Sequence, residues 1–93
     1  MANVRRLKKD VDYLMFAIVA DSLNIAVRKS DKTEEIGKIV EEALHNRNSL
    51  RSRISEGRRV EKSGKKKHYR AVFSDLLKLS DASFTQLSEM VKK

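Results

Sequence analysis

The chain has 93 residues, of which 40% are hydrophobic and 37% charged, and its formal net charge is +8. This length suits one domain with a modest core, which excludes a large enzyme or a multidomain receptor. Because the sequence contains no cysteine, it also excludes a disulfide framework, thiolate metal sites and catalysis by a thiol.

The first predicted helix covers residues 3–29. Its apolar residues recur at steps of three and four, which is typical of a heptad-like seam. A single gap falls at Asp21 or Ser22. Asp31 is the predicted N-cap of the following helix, because Glu34 stands three residues later, as in a capping box. The seam consists of Val4, Leu7, Val11, Leu14, Ile18 and Ile25.

Two more helices are predicted over residues 32–56 and 65–92, separated by a basic loop at 57–64 that begins and ends with glycine. No proline interrupts either helix. Short connections between long helices favour antiparallel neighbours. The sequence therefore predicts an all-α fold with one domain, residues 1–93, in which three long helices form an antiparallel up-down-up bundle.

The seams of the three helices predict the core. Asp21 and Ser80 interrupt the seams of the first and third helices, and the two residues are level if these helices run parallel. We therefore expect a hydrogen bond between them inside the bundle, because a buried carboxylate needs a partner. The predicted core residues are Val11, Leu14, Ile18, Ile25, Ile36, Val40, Ala43, Leu50, Phe73, Leu76, Phe84 and Leu87.

The first helix is apolar on nearly every side, since thirteen of the seventeen residues from Val11 to Val27 are apolar. Such a helix is normally covered on more than one side. We therefore expect a homodimer that associates through this helix. The alternative is a wide core stripe that leaves some apolar atoms exposed. The predicted interface residues are Met15, Phe16, Val19 and Leu23.

The positive charge is concentrated in one quarter of the sequence. Residues 47–70 contain ten basic and two acidic side chains, whereas the other 69 residues contain eleven of each. Lys65, Lys66 and Lys67 fall at the predicted start of the third helix, where the helix dipole disfavours cations and favours a bound anion. The predicted polyanion-binding residues are Arg51, Arg58, Arg59, Lys62, Lys65, Lys66, Lys67 and Arg70.

No motif indicates catalysis, since there is no Gly-rich phosphate loop, no Gly-x-Ser-x-Gly and no His-Glu-x-x-His. His45 and His68 have no neighbours at metal-ligand spacing, so we predict no metal, no other cofactor and no small-molecule substrate. The sequence favours a non-enzymatic module that binds nucleic acid or another polyanion, such as an acidic protein, without sequence-specific readout. The alternative is a structural or protein-interaction homo-oligomer whose basic loop only aids solubility.

The most apolar run, residues 13–20, is far shorter than the about 20 residues that cross a bilayer. A signal peptide has basic residues followed directly by an apolar stretch, and here Asp10 and Asp12 intervene. We therefore expect a cytoplasmic protein without a membrane partner.

Three stretches of the sequence carry a resemblance: residues 7–14 (LKKDVDYL), residues 66–69 (KKHY) followed by Asp75 and Leu76, and residues 87–93 (LSEMVKK). Together they resemble a group of small, uncharacterised all-helical proteins from Bacteroidetes bacteria. The resemblance spans most of the chain and implies an all-helical cytoplasmic bacterial protein. It transfers no site, substrate or activity.

Overall fold

The computed structural model describes residues 4–92, which form the helices α1 (Val4–Arg28), α2 (Thr33–Glu56) and α3 (Lys62–Lys92). Short 3-10 turns connect them, at Ser30–Lys32 and Gly57–Arg59. No strand occurs in this part of the chain, so the prediction of an all-α fold with three helices is confirmed. The helices pack into a rod that measures 50 × 18 × 16 Å. Within residues 4–92, no helix combines the length and the hydropathy that crossing a membrane requires.

The helix ends differ from the predicted ones mainly at the start of α3. This helix begins at Lys62, three residues early, so the predicted glycine-bounded loop shrinks to Val60 and Glu61. Gly57 has a helical φ of −57°, and Gly64 donates its N–H to the Glu61 carbonyl oxygen at 2.8 Å. Gly57 is the C-cap residue of α2, which ends at Glu56 as predicted, whereas Gly64 lies inside α3, where glycine costs only about 1 kcal/mol relative to alanine. The break comes at Val60, which is extended.

The start of α2 is not capped as predicted. Its N-cap residue is Lys32, whose side chain makes no capping hydrogen bond, and Asp31 lies within the 3-10 turn. Thr33 Oγ1 donates to the Ser30 carbonyl oxygen at 2.7 Å and so closes that turn. The prediction of a capping box at Asp31 is therefore wrong. The predicted first residue of the first helix, Asn3, lies outside the described residues.

Each helix contributes one row of buried side chains to the core. Of the predicted core residues, eight are buried: Val11, Ile18, Ile25, Ile36, Ala43, Leu50, Leu76 and Leu87. Leu14, Val40 and Phe84 are half-buried and pack against them. The core also contains Leu7, Met15, Ile39, Ile54, Tyr69 and Val72.

Phe73 does not belong to the core, and its prediction as a core residue is wrong. The residue is 42% exposed, whereas its neighbour Val72 is fully buried. The buried residues of α3 follow the 3.6-residue period of a straight helix, which places Phe73 beside the buried row. They are Tyr69, Val72, Leu76, Ser80, Ser83 and Leu87.

The predicted pair of Asp21 and Ser80 does not form among the described residues. Asp21 is exposed, and the neighbouring Ser22 takes the buried position on α1. Ser22 Oγ donates to the Ile18 carbonyl oxygen at 2.6 Å. Ser80 is buried, and its Oγ has no hydrogen-bond partner within residues 4–92. Among the described residues the buried polar side chains are therefore Ser22, Ser80 and Ser83, and Asp21 is not one of them.

Candidate polyanion-binding site

Seven of the eight predicted binding residues lie where α2 gives way to α3. Arg58 and Arg59 stand on the 3-10 turn, and the others occupy the first three turns of α3. All are exposed except Lys65, which is half-buried. None of the seven forms an ion pair with another residue in the described part of the chain. This basic cluster consists of Arg58, Arg59, Lys62, Lys65, Lys66, Lys67 and Arg70.

Arg51, the eighth predicted residue, is committed to an ion pair. Its Nη1 lies 2.7 Å from Asp12 Oδ2 on α1. Arg47 Nε lies 2.9 Å from the other oxygen of the same carboxylate, and Arg47 Cζ stands 5.4 Å from the centre of the Phe16 ring. The two arginines therefore connect α2 to α1, and Arg51 differs from the basic cluster in having an ion-pair partner.

A sequence signal for this ion pair exists. Arg47 occupies a position that the apolar seam of the second helix assigns to a hydrophobic residue. A half-buried guanidinium at such a position needs a counter-charge. The partner, Asp12, is 35 residues away from Arg47, so the sequence alone does not identify it.

Three cations of the basic cluster follow one line along α3. Lys62, Lys66 and Arg70 are spaced by four residues, so each is about 6 Å from the next along the helix axis and on the same side. Like charges at this spacing destabilise a helix by about 0.2–0.5 kcal/mol per pair. These three cations therefore repel one another, and a bound anion would lower this repulsion.

The cations at the start of α3 also interact unfavourably with the helix dipole. Its first turn contains no acidic residue, and both Lys62 and Lys65 lie there. Cations at a helix N-terminus oppose the helix dipole, at a cost of about 0.3–1 kcal/mol each. Because α3 starts earlier than predicted, the cations of the first turn are Lys62 and Lys65. Lys66 and Lys67 lie in the second turn.

The start of α3 is held firmly against the end of α2. His68 Nε2 lies 2.7 Å from the Arg53 carbonyl oxygen, and because a carbonyl only accepts, Nε2 carries the proton. Arg53 Nη1 lies 2.7 Å from Asp75 Oδ2 one helix away. These two contacts join α2 to α3 beside the basic cluster and use none of its own cations.

The predicted interface residues of α1 separate into two sets. Met15 is only 1% exposed, so its prediction as an interface residue is wrong. Val19 is half-buried and packs against the core. Phe16 and Leu23 are 48% and 57% exposed. The 3.6-residue period turns Met15 inward and Phe16 outward, because adjacent residues lie about 100° apart around a helix.

Within residues 4–92, no three His, Asp or Glu side chains come together as a metal ion would require. No protein family, curated protein or solved structure matches the chain. The resemblance to the Bacteroidetes proteins therefore remains a prediction from sequence.

Proposed function

We propose that the protein is a small non-enzymatic binding module whose basic cluster contacts the phosphate backbone of a nucleic acid. The observation that carries this proposal is the contrast between two sets of cations. Arg47, Arg51 and Arg53 are paired with Asp12 or Asp75. The seven cations of the basic cluster have no such partner among the described residues, although they are close together and their mutual repulsion is unfavourable.

A flexible polyanion suits this cluster better than a single small anion does. The row of Lys62, Lys66 and Arg70 extends over two helical turns, about 12 Å, and Arg58 and Arg59 lie on the 3-10 turn that precedes α3. One phosphate can neutralise only part of such a row, whereas successive phosphates of a strand can each meet one or two cations. Contacts of this kind give affinity without sequence preference.

We infer an up-down-up order of the helices as part of the same proposal. Support comes from three contacts between residues distant in sequence: Asp12 with Arg51, Arg53 with Asp75, and Lys29 Nζ with the Met90 carbonyl oxygen at 3.0 Å. In this order the basic residues at the start of α1, among them Arg5 and Lys9, lie at the same end as the basic cluster. They would extend its positive field toward a bound strand.

The test compares two variants that remove the same number of positive charges. The first is R58Q/R59Q/K66Q/K67Q, which neutralises four exposed cations of the basic cluster. The second is R28Q/K38Q/K78Q/K92Q, which neutralises four exposed cations elsewhere on the rod. Fluorescence polarisation with a labelled DNA duplex and a labelled RNA strand measures the affinity of each at low salt.

We expect the cluster variant to lose at least tenfold in affinity and the control variant to lose much less. Equal losses in both variants would show that net charge, and not the basic cluster, carries the binding. Binding of an acidic protein with no binding of nucleic acid would assign the cluster to that other class of partner. If the protein binds neither nucleic acid nor an acidic protein, the cluster only aids solubility, and the alternative of a structural homo-oligomer is favoured.

The expectation of a cytoplasmic bacterial protein stays a prediction from sequence.

A further inference from the structure

An exposed aromatic side chain follows the row of cations on α3. Phe73 comes three residues after Arg70 and seven after Lys66, and residues at these spacings lie on one side of a helix. Along the helix axis Phe73 stands about 4.5 Å beyond Arg70, and its side chain is 42% exposed. The row of Lys62, Lys66 and Arg70 therefore leads directly to an exposed ring.

Leu77 enlarges this apolar surface by one more helical turn. It comes four residues after Phe73 and is 48% exposed. Exposed apolar side chains are common on protein surfaces, so exposure alone does not indicate a ligand. What distinguishes Phe73 is its position at the end of a line of cations that have no ion-pair partner among the described residues.

The other aromatic rings of the described residues are placed differently. Tyr69, which lies within the basic stretch of the sequence, is only 7% exposed and so offers no ring face to a ligand. Phe84 is half-buried and packs against the core. Tyr13 and Phe16 lie on α1. On α3, Phe73 is therefore the one phenyl or phenol ring that is exposed.

No unpaired carboxylate interrupts this part of α3. Between Lys62 and Leu77 the sequence contains one acidic residue, Asp75. Its Oδ2 lies 2.7 Å from Arg53 Nη1 on α2, so its charge is already compensated. A polyanion that passes from the cations to Phe73 therefore meets no uncompensated negative charge on this stretch of the helix that would repel its phosphates.

We propose that the nucleic acid is single-stranded and that one of its bases stacks on the ring of Phe73. This inference rests on the proposed function, because phosphate contacts to Lys62, Lys66 and Arg70 bring the strand to the ring. Every base has a π-face, so stacking on an aromatic side chain adds affinity without sequence preference. The bases of a duplex are stacked inside it and do not reach a ring on a protein surface. The ring therefore favours a single strand over a duplex.

The two kinds of contact respond differently to salt. Contacts between cations and phosphates release counterions, so they weaken as the salt concentration rises. Stacking of a base on Phe73 involves a neutral side chain and releases none. Removal of the ring should therefore lower the affinity for a single strand by a similar factor at every salt concentration, with no change in the slope of log affinity against log salt.

The first experiment compares F73L, which keeps an apolar side chain but removes the ring, with F73Y, which keeps the ring. The control F16L removes a ring of similar exposure, 48%, on α1, where Arg47 stands over it. Fluorescence polarisation measures the affinity of each variant for labelled oligothymidylate and oligouridylate strands and for a labelled DNA duplex of equal length. Circular dichroism checks that each variant is as helical as the unaltered protein.

We expect F73L to bind at least one of the two strands more weakly than the unaltered protein, by about fivefold or more. F73Y and F16L should bind the strands as the unaltered protein does. The affinity for the duplex should be the same in all four proteins.

The second experiment detects the stacked base directly. The chain contains no tryptophan, so F73W and the control F16W each introduce a single fluorescent indole. We expect a saturating single strand to quench the emission of F73W and to leave that of F16W nearly unchanged. Unchanged emission of F73W with the strand bound would overturn the proposal.

The outcomes distinguish this proposal from the proposed function. Single strands that bind F73L as tightly as the unaltered protein would overturn the stacking and leave the basic cluster as the binding site. An equal loss for strand and duplex in F73L would also overturn it, and would indicate a ring that inserts between base pairs of a duplex. If the unaltered protein binds none of the three nucleic acids, both the proposed function and this inference are wrong.

Discussion

Gly57, at the end of α2, lies directly against the ring of Tyr69 in the second turn of α3. A Cβ at this position would stand 2.5 Å from Tyr69 Cζ and 2.6 Å from Cε1. The φ of Gly57 is −57°, so space and not backbone freedom requires the glycine. Tyr69 is buried and belongs to the helix that carries the basic cluster.

Replacement of Gly57 by alanine should therefore destabilise the protein by about 1–3 kcal/mol, as overpacking of a core generally does. The matched control is G37A, for which the Cβ meets no atom within 4 Å. At concentrations low enough to favour a monomer, G37A should gain about 0.5–1 kcal/mol from helix propensity. Urea denaturation measures both free energies of unfolding. A stable G57A would mean that Tyr69 can move away at little cost.

Asp12→Asn should weaken the fold and strengthen binding of nucleic acid. The substitution removes the carboxylate shared by Arg47 and Arg51, and a partly exposed pair of this kind stabilises a protein by about 1 kcal/mol at most. The freed arginines add to the positive field. The exposed Asp21 provides the control, because D21N changes the net charge equally. We expect a larger gain in affinity for D12N than for D21N, and equal gains would show that only net charge matters.

Ser80→Ala should stabilise the protein. Ser80 Oγ is buried and unpaired within the described residues, and such a group costs about 1–3 kcal/mol. Ser22→Ala is the control, because it brings the same gain in helix propensity but removes the hydrogen bond to the Ile18 carbonyl oxygen. Thermal unfolding should give S80A a free energy of unfolding about 1 kcal/mol higher than that of S22A. The reverse order would contradict the burial of an unpaired hydroxyl at Ser80.

Leu76→Ala should cost more stability than Phe73→Ala, although phenylalanine is the larger residue. Leu76 is fully buried, and its truncation should cost about 2–5 kcal/mol. Phe73 is 42% exposed, so its truncation should cost less than the about 3–5 kcal/mol of a buried phenylalanine. Denaturant titration of the two variants decides the order. A larger loss for F73A would place the Phe73 ring in the core.

The class of fold could be predicted from the sequence because the apolar residues recur at helical spacing with few interruptions. The assignment of individual faces was less accurate. The seam was interpreted as a heptad, with Leu14 in the core and Met15 outside. A straight helix drifts by about 20° per heptad from that pattern. The buried row of α1 accordingly includes Met15 and Ser22, and α3 buries Val72 in place of Phe73.

The position of the basic cluster could also be predicted, because it is local in sequence. What a single sequence did not indicate is which cations are already paired. Arg51 meets Asp12 across 39 residues of chain, and such a pair depends on how two helices are packed. The sequence predicts a loop up to Gly64, whereas in the structure Gly64 lies in the first turn of α3; Gly57 is the C-cap of α2, as predicted.

The salt dependence of nucleic-acid affinity tests the central claim most directly. If the basic cluster neutralises about five phosphates of a duplex, log affinity should fall with log salt concentration at a slope near −4.5. In R58Q/R59Q/K66Q/K67Q the slope should shrink to between about −1 and −3, because only three of the seven cations of the basic cluster remain. The control R28Q/K38Q/K78Q/K92Q should keep the slope of the unaltered protein. A slope near zero for the unaltered protein would contradict the assignment of binding to the basic cluster. The same slope in the unaltered protein and in both variants would contradict it as well.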